Sequence, residues 1–139
     1  MEFEFTWVEP SLLLCRAWGT ATVEGITALE KALISHPKVG PGVYVLADHT
    51  DLDPSAITAA EIYRMAEFRA QNVHGIGVRV AIVSGPDPLR YGLERMFASF
   101  AEPDAEGMLR IFQTREEAIA WLTEWGAQIP PELADGGTV

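Results

Sequence analysis

The stretch RVAIVSGPDPLRYGLERMFASF, residues Arg79–Phe100, decides the fold. Val78–Val83 is apolar except for Arg79, the composition of a strand covered on both faces. Ser84-Gly85-Pro86-Asp87 is turn chemistry, and Pro88 suits a first helical position. A helix over about Pro88–Ala101 then places Leu89, Leu93, Met96, Phe97 and Phe100 on one apolar stripe, read as core. Arg90 and Glu94 stand four apart and are expected to pair at the surface, worth about 0.2–0.5 kcal/mol. Tyr91, Arg95 and Ala98 fall on the opposite side, where Tyr and Arg are the residue types favoured at binding hot spots. A strand, a turn and an amphipathic helix in this order form one unit of a parallel α/β sheet.

Outward from this unit the same alternation continues. Downstream come a loop (Glu102–Gly107), a short strand (Met108–Phe112) and a capping box, Thr114 with Glu117. The helix it opens carries Ala118, Trp121, Leu122 and Trp125 as a core stripe. Upstream, Val43–Ala47 reads as a buried strand and Asp48–Pro54 as a polar connection. A helix is expected from about Ser55 to Gln71, with Ala59, Ile62, Ala66 and Ala70 against the sheet and Ile57 and Phe68 on the other side. Thr22 caps an earlier helix ending before Pro37, with Ile26, Leu29, Leu33 and His36 on one stripe. Phe3, Phe5 and Trp7 alternate with polar residues, and Leu12–Trp18 is a second strand, so the two form an antiparallel hairpin. The fold class is therefore α/β: a mixed five-stranded sheet, an antiparallel hairpin followed by parallel strands, packed with four helices. Residues 1–126 form one domain and residues 127–139 a flexible tail.

Composition bounds the function. The 139 residues are 48% apolar, enough for one core, and the formal net charge is −10. Such a chain repels phosphate backbones and anionic headgroups, so no nucleic acid is expected as a partner. Cys15, the single cysteine, lies in the apolar run LLLCRAW and reads as a buried, unreactive strand residue. The first residues lack the basic and apolar regions of a signal peptide, and no run approaches the ~20 apolar residues of a membrane span. A cytoplasmic protein without membrane insertion is expected.

Ligands of open α/β sheets sit beyond the carboxyl ends of the strands. There this chain offers Asp48, His49, Thr50, Asp51 and Ser55 after one strand, and Ser84, Asp87, Arg90 and Tyr91 after the next. These are the candidate ligand- or partner-binding residues. Ile57, Tyr63, Met65, Phe68 and Arg95 are candidates for a homodimer interface or the lining of an apolar pocket. Asp51, Asp53 and Ser55 imitate the start of a calcium loop, but Ala56 and Ile62 replace its obligatory Gly and Glu, so no metal site is expected. Asp53 is expected to shape the turn before Pro54 instead. No phosphate loop, dinucleotide fingerprint or nucleophile elbow occurs. No cofactor and no catalytic residue is assigned.

The pieces RVAIVSGPDPLRYGLERMF, LRIFQTREEAIAWL and VLADHTDLDPSAI resemble the bacterial SpoIIAA-like proteins, in the same element order over about Phe3 to Trp125. That family is related to STAS domains, the anti-sigma-factor antagonists, and is structurally similar to CRAL-TRIO lipid-binding domains. The resemblance implies a small, non-enzymatic regulatory module that binds a protein partner, as a homodimer. The CRAL-TRIO likeness implies, as an alternative, a carrier of a small apolar or lipid-like ligand. It places Ser55 nearest to the phosphorylatable Ser of STAS antagonists, but Asp53-Pro54-Ser55-Ala56-Ile57 lacks the second Ser and the Gly of that pattern. A third reading is a small hydrolase or isomerase using Asp48 and His49.

Overall fold

The computed structural model describes residues 1–102 and 107–134. Its strands are β1 (Glu2–Val8), β2 (Leu12–Thr20), β3 (Tyr44–Asp53), β4 (Arg79–Val83) and β5 (Leu109–Phe112). Its helices are α1 (Val23–Ser35), α2 (Ala59–Asn72), α3 (Pro88–Ala101), α4 (Arg115–Glu124) and the single turn α5 (Pro131–Ala134). The sheet order is β1-β2-β3-β4-β5, antiparallel between β1 and β2 and parallel thereafter. This is the expected mixed five-stranded sheet. No helix among the described residues is long and apolar enough to cross a membrane.

Alternation along the strands builds two cores. Leu13, Cys15 and Ala17 of β2 join Val45 and Ala47 of β3 beneath α1, α2 and α3. Leu12 and Leu46 join Phe112, Ala118, Trp121 and Leu122 on the α4 side. The crossovers α1, α2 and α3 thus lie on one face, as same-handed connections between sequential neighbours require. Trp125, expected in the α4 stripe, is instead 49% exposed, with Arg79 stacked 3.6 Å above its ring. Residues 127–134, read as tail from the sequence, include Ala127 and Leu133, both buried in the α4-side core. The expected loop and tail also contain 103–106 and 135–139, which lie outside the described residues.

Three elements depart from the sequence reading. β3 runs on to Asp53 because the long β2 offers partners throughout, Gly19 to Leu52 and Thr20 to Asp53. The polar segment Asp48–Asp53 is therefore strand, not connection. α2 starts at Ala59, capped by a Thr58–Glu61 capping box rather than by Ser55, and buries Ile62, Met65, Ala66 and Arg69 while Ala59 and Ala70 stay exposed.

α3 has the expected bounds but not the expected rotation. Leu89, Met96 and Phe100 are exposed, whereas Phe97, Ala98 and Tyr91 pack against the core and Ala101 is buried. The inward line is Arg90, Glu94, Phe97, Ala98 and Ala101, the expected stripe moved on by one residue, or about 100° of helix. Two polar anchors account for it. Arg90 donates to the carbonyls of Ser84 and Leu52, and Glu94 reaches His49. Ala98 and Ala101 are small enough to let the helix lie close on that side.

Candidate functional site

Between Arg16 and Trp18 the β2–β3 register slips, and one residue of β2, Ala17, stands against two of β3, His49 and Thr50. Such a bulge re-aims side chains. It splits the sequence-predicted cluster of Asp48, His49, Thr50 and Asp51. Asp48 faces α4: the Thr50 hydroxyl and N–H donate to its Oδ1 at 2.6 and 2.9 Å, and Arg115 Nη2 lies 3.4 Å from Oδ2. Burial opposes ionisation of Asp48, but the two Thr50 bonds, then Arg115 and His49, outweigh it and hold its carboxyl below the usual range. Asp51 pairs at the surface with Arg16, 3.3 Å away. His49 alone turns toward α3, as the neighbour of Asp48 must on a strand. The structure does not bring Asp48 and His49 together as an acid–base pair.

The second predicted group is structural in its contacts. Ser84 is fully buried, its hydroxyl donating to the Gly85 carbonyl at 2.9 Å. Asp87 caps α3 by accepting from Leu89 N–H at 3.0 Å. Arg90 ties the ends of β3 and β4 together through Leu52 and Ser84 rather than pairing with Glu94. Thr50 and Arg90 fill the space between this turn and β3, both within 3.2 Å of where a Gly85 Cβ would stand. Asp53 accepts from Ser55 N–H at 3.0 Å, the expected turn, and Ser55 itself is exposed, ahead of the α2 cap. The strands follow sequence order without reversal, so the sheet has no topological switch point at which its carboxyl ends would open a crevice.

The concave site lies instead between the sheet and α1, α2 and α3. A cleft there, open to solvent, has a cavity volume of about 70 Å³. Ile57 and Met65 line it, with Ile26, Leu52, Ile62 and Phe97. Tyr63 and Phe68 do not. Tyr63 packs edge-on against Phe100 on the outer surface, centroids 5.4 Å apart, and Phe68 borders a shallow groove with Arg64 and Gln71. Tyr91 and Arg95 border another groove beside β5, with the guanidinium 5.6 Å from the Tyr91 ring.

Three polar side chains also line the cavity: His49, Glu94 and Glu30. His49 Nδ1 and Glu94 Oε1 are 2.8 Å apart, with side chains 11% and 12% exposed. Arg69 Nη1 donates to both oxygens of Glu30 at 2.8 Å. Sequence reasoning missed Glu30, Arg69 and Glu94, though a signal existed for two of them. Glu30 completes the stripe Ile26, Leu29, Glu30, Leu33, and Arg69 completes Ile62, Met65, Ala66, Arg69. Opposite charges inside two apolar stripes call for each other.

A singly wound mixed sheet with three crossover helices on one face and α4 on the other is the SpoIIAA-like fold. The chain is similar to the solved structure of an uncharacterised DUF3478-family protein with a SpoIIAA-like fold from Shewanella loihica PV-4. The two share 23% identity over 87% of this chain and 92% of that one, with a TM-score of 0.50. It is also similar to the anti-sigma factor antagonist SpoIIAA in its unphosphorylated form, at 13% identity over 88% and 97% of the chains, with a TM-score of 0.47. No family model and no curated protein matches the chain.

Proposed function

We propose that the protein is a non-enzymatic binding module that engages a protein partner through the outward side of α3 and the adjoining part of α2. The observation that carries this reading is an exposed apolar ridge in an acidic chain. Tyr63, Leu89, Met96 and Phe100 are 53%, 53%, 37% and 44% exposed. Glu94, the one carboxylate within α3, is turned inward onto His49, so Arg95 is the sole charge on the helix's exposed side. A partner with an apolar centre and an acidic rim complements this surface, while the remainder of a chain of net charge −10 repels it. The non-enzymatic part rests on the separation of Asp48 from His49 and on the internal bonds that occupy Ser84, Asp87 and Arg90.

Benzoyl-phenylalanine placed at Ser99, exposed beside Phe100, tests the surface in native cells. A discrete photoadduct is expected, and Phe100→Glu lowers its yield about tenfold, the loss of ~1.4 kcal/mol of binding. An adduct of twice the chain mass identifies a second copy as the partner. Absence of any discrete adduct, or one indifferent to Phe100→Glu, overturns the assignment.

A further inference from the structure

β5 is an edge of the sheet. On its inner side the Met108 and Phe112 carbonyls accept from the N–H groups of Val80 and Ser84. Backbone groups alternate in direction along a strand, so those of Leu109 and Ile111 point away from β4. On that outer side Glu102 Oε2 accepts from the Leu109 N–H at 3.0 Å. The Leu109 carbonyl and both backbone groups of Ile111 have no partner among the described residues. Such a row is a template for another strand. It floors a groove of about 560 Å³ between α3 and α4, against about 70 Å³ for the apolar cleft, so the room for a partner's backbone is here.

The charges of the groove select its occupant. Its two carboxylates are engaged, Glu102 by the N–H groups of Met108 and Leu109 and Glu117 by the Thr114 cap. Its two arginines, Arg95 and Arg110, are exposed and pair with no carboxylate among the described residues. Each lies only beside a ring, Tyr91 at 5.6 Å and Phe112 at 5.4 Å. Arg95 stands on the α3 side of the sheet with Ile111, and Arg110 on the α4 side with Phe112. Successive side chains of an added strand point to opposite faces, so two adjacent carboxylates meet the two arginines. The other free edge, β1, carries Glu2 and Glu4 and repels such a segment. A second copy's β1 is also a poor occupant of the β5 groove, because it presents both carboxylates to one face.

We propose that an extended acidic segment of the protein partner adds to β5 as a sixth strand, its backbone on Leu109 and Ile111 and two adjacent carboxylates on Arg95 and Arg110. The inference rests on the chain being a binding module and adds the form of what it binds.

The blocked peptide acetyl-TVEDVT-amide is the probe, titrated into the full chain to the millimolar range and read by amide NMR. Saturable shifts are expected at Leu109, Arg110 and Ile111. Hydrogen exchange at the Ile111 N–H is expected to slow, which contact through side chains alone would not produce. TVKKVT, with the charges reversed, is expected to give no shift. Arg110→Gln weakens TVEDVT about fivefold, the upper range for one exposed ion pair. N-methylation of alternate peptide residues removes the donors facing β5 in one frame and those facing water in the other. One frame is expected to abolish binding and the other to keep it. No saturable shift, equal binding of the two frames, or equal binding of TVKKVT overturns the proposal. Shifts at these amides that grow with the chain's own concentration, without peptide, overturn it in favour of a second copy. If TVEDVT fails while the Ser99 photoadduct forms, the added strand is wrong and the docking surface stands.

Discussion

Removing the charge of Arg69 tests how the helical layer above the cavity is held. Arg69 of α2 and Glu30 of α1 are 6% and 8% exposed in their side chains, and one guanidinium nitrogen donates to both carboxylate oxygens at 2.8 Å. Neither group is screened by solvent to any useful extent. Arg69→Met keeps the stem and deletes the head, leaving the Glu30 carboxylate buried and unpaired. Breaking one side of a buried pair costs about 3–5 kcal/mol. With a urea slope of about 2 kcal/mol/M, the midpoint falls by about 1.5–2.5 M. Native stability for a small domain is only about 5–15 kcal/mol, so the variant is expected to be marginal.

The attraction itself is a different quantity, and a double variant isolates it. Glu30→Leu with Arg69→Met removes both charges, so no group is left desolvated without a partner. Such replacements are neutral or stabilise by about 1–4 kcal/mol. Urea unfolding followed by circular dichroism on wild type, both single variants and the double variant closes the cycle. If Arg69→Met lies within about 1 kcal/mol of wild type, or the double variant is no more stable than the single, the assignment of Arg69 as neutraliser of Glu30 is wrong. Arg16–Asp51 is the internal contrast: at 48% and 64% exposure its loss through Asp51→Asn is expected to cost about 0.2–1 kcal/mol.

Three further outcomes follow from single sites. Asp48 has its carboxyl held below the ordinary value of 3.8, burial being outweighed by Thr50, Arg115 and His49. The fold therefore favours its ionised form: this contribution is present above about pH 3.8 and lost as pH falls through the lower folded value. Asp48→Asn should flatten the acid limb of the urea midpoint against pH, and an unchanged limb below about pH 4 contradicts this. Burial, then the charges of Glu30 and Asp48, push the Cys15 thiol up to about 12. Against an ordinary thiol of about 8.5, its thiolate fraction at pH 8 is roughly a thousandfold smaller, so Ellman's reagent should modify it only on unfolding. Rapid labelling of the native chain would refute its burial. Gly85 sits at φ +75 with Thr50 Cγ2 3.0 Å from an added Cβ, so Gly85→Ala should cost at least about 1–2 kcal/mol in the same urea assay.

The legible part of the fold is the part set by local periods and caps. Thr22 and Thr114 cap their helices as their side chains dictate, and α3 begins and ends where Pro88 and the apolar pattern place it. The alternation of Phe3, Phe5 and Trp7 and the apolar β4 specify the hairpin and the buried parallel strand. The length of β3 was hidden because it depends on its neighbour: Asp48–Asp53 is too polar to read as strand until β2 is seen to extend beside it. The cap of α2 was legible but misassigned: Ser55 and Thr58 are both acceptable chemistry, but only Thr58 has a Glu three residues on, the same signature that marks Thr114.

The rotation of α3 shows why the site itself was less legible than the fold. Its apolar residues define a stripe at Leu89, Leu93, Met96, Phe97 and Phe100, yet only Leu93 and Phe97 of it face inward, and the helix turns Arg90, Glu94, Ala98 and Ala101 in beside them. Hydrophobic periodicity weighs residues by their own transfer energy, and on that scale Arg90 and Glu94 belong outside. Their partners reverse the sign. The Ser84 and Leu52 carbonyls stand 6 and 38 residues from Arg90, and His49 stands 45 from Glu94. A buried polar group with its bonds made costs little, whereas strand-end carbonyls without donors cost more than an exposed Leu or Phe. The same exchange of faces that buries Glu94 beside the cavity puts Leu89, Met96 and Phe100 on the surface. The candidate cavity and the candidate docking ridge are thus two consequences of one helix rotation.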